Sequence, residues 1–367
     1  MQRWVEMWGT RDFLLTDETG ACWSRGKVKL NKHLNTIIST YSLVDYFIFV
    51  NTNITEIYNM SKSLSLQKFY KSIEAEIRNY WQISTGLIYA ERWWQTVSED
   101  TWPTVITKYP GDNHTPFSSI VLSPKKYIEN IPVTIQLTRE SAIVGFITAF
   151  EVYMLDLVRR LIYLDPMVID ESQMPFEAKE ISKVLGKEDF REWFSSKVAD
   201  KYMRNKTHLK MILRIQAILK YDLKKSKGDL IEEWNKWTYV RNAIVHNGRE
   251  VSEDLHREWP EKFTRISAPL ALLDKDLIRV QYLAVELAKL IDSIAITNII
   301  KQQDAVLLIR EIFIRFGTED SKQLKRDINA ILNHKIKTPD IDKALAFQRR
   351  TNAETRGYTF SHYNFQA

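Results

Sequence analysis

Cysteine is almost missing from this chain: Cys22 is its one thiol in 367 residues. That excludes a disulfide framework and a CxxC metal pair, and it fits a reducing, cytoplasmic setting. Glycine (11) and proline (10) are also scarce, which favours helices over a turn-rich β fold. No secretory leader is expected, because the first residues already carry charge at Arg3 and Glu6 and no apolar stretch follows. The longest apolar run near the front, 43–50, is broken by Asp45 and falls far short of the ~20 residues of a membrane helix. A membrane partner is therefore not expected, and neither a cofactor motif nor a metal-ligand cluster can be read.

What is present is ordinary globular material: 44% apolar residues, 27% charged residues and a net charge of +6. The mild basic excess is compatible with RNA without demanding it. The length allows two or three domains.

Residues 1–135 read as an α+β domain of unknown role, a candidate sensor or regulator. They include Trp4, Trp8, Trp23, Trp81, Trp93, Trp94 and Trp102, which are expected mainly as core. A short helix over 29–41, a strand over 45–50 and a helix over 64–94, broken near Gly86, are expected. The segment 103–132 holds Pro103, Pro110, Pro116, Pro124 and Pro132 and reads as loops leading into a linker.

Residues 137–300 read as a helical bundle. Its first helix, 139–164, carries an apolar stripe through Phe146, Phe150, Tyr153, Leu157 and Leu161, with Glu151 and Asp156 off the stripe. Helices over 187–203 and 206–220 follow. A helix capped by Asp229 then carries Ile231, Trp234, Trp237, Val240, Ile244 and Val245 on its apolar face and stops at Gly248. A long loop, 248–269, and a closing helix, 273–300, complete the bundle. Residues 301–367 read as a helical extension, with helices at 304–316, 322–333 and 339–351 and an aromatic end at Tyr358, Phe360, Tyr363 and Phe365.

The chemistry concentrates at the end of the capped helix, in Arg241, Asn242, His246 and Asn247. A guanidinium matches phosphate oxygens, and an imidazole moves protons near neutrality. Together they suit phosphodiester cleavage by a ribose 2′-hydroxyl without a metal. Ideal helical geometry puts His246 about 140° from Arg241. Convergence on one ligand is therefore expected through an unwound last turn or through two copies meeting at a two-fold axis. The bland alternative is that both side chains merely complement the helix dipole, and with seven histidines in the chain the spacing alone is weak. Glu151 and the basic pair Lys224–Lys225 are weaker candidates for substrate contact, more simply read as solvated charges. His208, His256 and His334 read as unremarkable.

The Arg241-Asn242-x3-His246-Asn247-Gly248 string, with a long helix upstream at 141–161, resembles the HEPN superfamily over roughly residues 137–300. The resemblance implies an all-helical bundle acting as a metal-independent endoribonuclease. It implies Arg241, His246 and Asn242 as catalytic residues and a homodimer with a composite active site. It also implies an RNA substrate and the setting of a toxin or antiviral-defence effector, with an antitoxin or trigger molecule as a further partner. The alternatives are a non-catalytic RNA- or protein-binding helical module, or a nucleotidyl-transfer partner.

Overall fold

The computed structural model describes residues 61–96, 123–169 and 190–351. The chain divides into two compact units, 1–53 and 54–367, and the described residues all belong to the second. They are 82% helical with no strand, save one isolated antiparallel bridge between Glu250 and Pro269. The fold is mainly α. The expected helix at 29–41, strand at 45–50, loops at 103–122 and aromatic end lie outside the described residues.

Among the described residues ten α-helices follow in order: α1 Leu64–Thr96, α2 Pro124–Leu164, α3 Phe190–Met203, α4 His208–Leu219, α5 Leu223–His246, α6 Glu253–Glu258, α7 Asp274–Ala295, α8 Gln303–Phe316, α9 Ser321–Leu332 and α10 Thr338–Thr351. A 3-10 turn, Pro166–Val168, follows α2, and a π-helical turn, Ile296–Ile300, extends α7.

Helix α2 is the axis of the bundle and packs against α1, α3, α4, α5 and α7. Its side chains at Ile143, Phe146, Phe150, Met154, Leu157, Val158 and Leu161 are fully buried. By length and apolar composition α2 would suit a membrane crossing, but half of its most apolar window is buried inside the bundle.

The expected boundary near residue 135 falls inside α2. Ser123 caps the helix by accepting from the Lys126 amide, and Pro124 sits in the first turn. The missing amide of a proline costs nothing there. Pro132 is carried within the helix. Proline-based punctuation therefore misplaced the start by about 15 residues. Nor is α1 a separate layer: Leu66, Phe69, Ile73, Ile77 and Tyr80 are buried, and Phe69 packs its ring on Phe150 and Tyr153 of α2. α1 runs unbroken through Gly86, where the Thr85 hydroxyl folds back onto the Trp81 carbonyl.

A second core joins α8, α9 and α10 through Leu308, Ile309, Ile312, Leu324, Ile328, Ile341 and Leu345, and Leu64 at the start of α1 is part of it. The 301–351 segment is thus stitched to α1. Its link to the bundle is polar and buried. The Ser63 amide and hydroxyl donate to Asp292 of α7, the Leu64 amide donates to Asp304 of α8, and Asp304 pairs with Arg160 of α2.

Candidate functional site

The site lies at the C-terminal end of α5. Asp222, not Asp229, caps this helix, accepting from the Lys225 amide at 3.0 Å. A non-helical Lys227 (φ −146°, ψ 44°) kinks it, and Asp229 lies just beyond the kink. From there the helix buries Ile231, Trp234, Trp237, Val240, Ala243 and Ile244. Trp234 packs edge-on against Phe150 at 4.8 Å, which fixes α5 on the axis helix. Val245, expected on this face, is exposed.

His246 is the last helical residue, and Gly248 and Arg249 then adopt left-handed φ values of 61° and 67°. Glycine suits the first of these because it carries no Cβ. The Arg249 guanidinium reaches back 3.0 Å to Glu140 of α2, whose side chain is 4% exposed, so the turn that ends the helix is tied to the axis. The expected 248–269 loop is largely ordered by burial of Val251, Leu255 and Phe263.

At the end of α5 the Arg241 Nη1 lies 3.3 Å from His246 Nε2 and 3.2 Å from the Asn242 amide oxygen. The last turn stays helical, so the expected need for unwinding or for a second copy does not arise. An arginine side chain is long enough to cross the angle that separates the two Cα atoms. Guanidinium offers only donors, so His246 accepts through an Nε2 lone pair, and its proton in the neutral ring sits on Nδ1. His246 and Asn242 are exposed and Arg241 is half-buried, so a ligand can reach them.

Glu151 of α2 feels the charge of Arg241. Its carboxyl is held below the ordinary carboxylate range, first by the His208 imidazole at 3.6 Å and then by the charge of Arg241, against the cost of partial burial. His208, passed over in the sequence, is the first residue of α4 and is buried. The Trp234 indole donates to its Nδ1 at 3.3 Å, which leaves Nε2–H facing Glu151. Its signal in the sequence was only the Thr207 cap before it, and nothing local linked it to residue 151.

Three other candidate residues do not join the site. Lys224 and Lys225 sit in the first turn of α5, seventeen and sixteen residues before Arg241, or roughly 25 Å along the axis at 1.5 Å per residue. The Asn247 side-chain amide donates to the Glu250 carbonyl at 3.1 Å, so it serves the turn. Among the described residues no group of three or more His, Cys, Asp or Glu is placed to hold a metal ion.

Chemically, the arrangement offers a fixed cation, a proton acceptor beside it and an anion behind them. Comparisons with protein-family models, with curated proteins and with solved structures return no match for this chain.

Proposed function

We propose that the end of α5 is the active site of a metal-independent endoribonuclease of HEPN type, in a chain that serves as a toxin or antiviral-defence effector. The observation that carries the reading is the 3.3 Å approach of Arg241 Nη1 to His246 Nε2 on an exposed helix end. Each satisfies the other. An entering phosphate oxygen offers the guanidinium a charged, bidentate partner and so frees the Nε2 lone pair. That nitrogen then takes the proton of a ribose 2′-hydroxyl as its oxygen attacks phosphorus.

The new O2′–P bond replaces the P–O5′ bond, and the leaving 5′-oxygen takes a proton. Arg241 neutralises the charge that gathers on the phosphorane. Asn242 holds Arg241 by its amide oxygen, and Glu151 keeps a negative charge behind it.

A two-fold dimer would bring a second imidazole to donate the leaving-group proton. With the angular argument for it gone, the composite site rests on the family resemblance and on exposed apolar residues beside the site, Val152 next to Glu151 and Val245 next to His246. The α+β domain expected over residues 1–135, and its role as a sensor or regulator, belong to the same proposal.

The test is incubation of purified chain with total RNA and transfer RNA in EDTA, beside His246→Ala. Cleavage that leaves cyclic-phosphate ends and drops by about 10²–10⁴ in the variant is expected. Equal cleavage by both proteins would sink the assignment. RNA binding without scission under any condition would point instead to a binding module.

A further inference from the structure

At the far end of α2, a cavity of about 460 Å³ opens between the end of that helix, the start of α3 and the first residues of α8. Its wall carries three cations, Arg191, Lys301 and Arg310, against one carboxylate, Asp165. The cations are not consumed by the fold. Arg191 donates to the Leu164 carbonyl and lies over the Tyr163 ring at 5.2 Å. Arg310 donates to the Gln348 amide oxygen at 2.7 Å and lies over Phe347 at 5.0 Å. Among the described residues no carboxylate pairs with either guanidinium or with Lys301.

Burial lowers the Arg310 pKa from its ordinary value, against an opposing pull from Tyr163. The backbone is also arranged here at some cost. The π-helical turn Ile296–Ile300 ends in Lys301 at φ 49°, ψ −115°, a region that a side chain with a Cβ avoids. That turn puts Lys301 and Asn298 on the cavity wall.

We infer that this cavity binds a small organic phosphate of nucleotide size. Guanidinium forks match phosphate oxygens in pairs, and two of them beside an ammonium give the excess positive charge such a group needs. The volume lies in the range of ligand pockets, about 300–1,000 Å³, and far exceeds one phosphate. The Tyr163 ring and the Leu307 side chain form an apolar wall for an organic part. Tyr163 lies twelve residues along α2 from Glu151, or about 18 Å, so the cavity is separate from the Arg241–His246 pair. Its occupancy does not depend on whether that pair cleaves RNA.

The experiment is calorimetric titration of the full chain with inorganic phosphate, pyrophosphate, ribose 5-phosphate, AMP and ATP, and with a short single-stranded RNA. The same series is run on Arg310→Gln, on the exposed-site variant Arg191→Gln and on His246→Ala, each checked for native helicity by circular dichroism. Expected is saturable binding of at least one organic phosphate below about 1 mM. It should weaken at least about tenfold in both arginine variants and stay unchanged in His246→Ala. Overturning results are no saturable binding of any organic phosphate, affinity no better than that of pyrophosphate, or retention in Arg191→Gln. Binding of the RNA alone at these arginines would likewise overturn it, in favour of a nucleic-acid track.

Discussion

At the scale of single residues, the candidate site consists of a pair that satisfies itself and a set of neighbours that hold the pair in place. Those two classes should separate in kinetics. His246→Ala removes the proton acceptor, whereas Asn242→Ala removes one hydrogen bond to Arg241 and leaves the guanidinium in reach of His246. A bond from a charged donor is worth about 1.5–3 kcal/mol when buried and less at an exposed position such as this one, so the Asn242 variant should lose at most about tenfold in cleavage rate. Glu151→Gln should cost at most about fivefold, because Glu151 is half exposed and its influence on Arg241 is screened. Its carboxyl titrates below the ordinary range, so between pH 6 and 9 that loss should be uniform, with no new inflection in the profile. Single-turnover rates across that range decide. An Asn242→Ala loss as large as that of His246→Ala would mean that Asn242 touches the reacting phosphate itself.

At the scale of elements, periodicity read helices well and punctuation read their limits poorly. The apolar spacing at Phe146, Phe150, Tyr153 and Leu157 marked α2, and the same logic marked α5, α7 and α8. The start of α2 was lost because Pro124 and Pro132 read as breakers, although a proline is tolerated where a first-turn amide has no partner. The tie between the 301–351 segment and α1 was hidden for a different reason. Leu64 sits among α8, α9 and α10 from 241 or more residues away in the chain, and nothing local announces such a contact. The same holds for His208 and Glu151, joined only by folding. Arg249 gives this scale its prediction. Its guanidinium joins the turn after α5 to a carboxylate on α2 that is 4% exposed. Arg249→Ala should destabilise by about 1–3 kcal/mol, since it leaves Glu140 buried with only the Gln136 amide as donor. The lower end is favoured because Arg249 is 54% exposed. Adding Glu140→Gln should recover part of the loss in urea unfolding, because the unpaired charge is then gone. No recovery would mean that the arginine acts through packing alone.

At the scale of the whole molecule, a buried polar junction ties five helices of the described unit together. The Ser63 amide and hydroxyl reach Asp292 of α7, the Leu64 amide reaches Asp304 of α8 at 2.9 Å, and Arg160 of α2 pairs with Asp304. The Lys62 amide adds a bond to the Leu332 carbonyl of α9 at 2.8 Å. Burial, and secondarily the neighbouring Asp304, push the Asp292 carboxyl up from 3.8 to about 7, against the bonds from Ser63 and Tyr153 that favour its charged form. The sign of the linkage follows from the raised value. Between about pH 4 and 7 the folded chain holds a proton that the unfolded chain releases, so this group makes stability fall as pH rises across that window. At 1.36 kcal/mol per unit the full effect approaches ~4 kcal/mol. Asp292→Asn keeps an oxygen to accept from Ser63 and carries no charge at any pH. Its urea midpoint should therefore fall less than that of the parent between pH 5 and pH 7.5, and the two proteins should differ most at the upper end. Parallel midpoint curves for the two proteins would show that Asp292 is ionised throughout in the folded state, with the donors of Ser63 outweighing its burial.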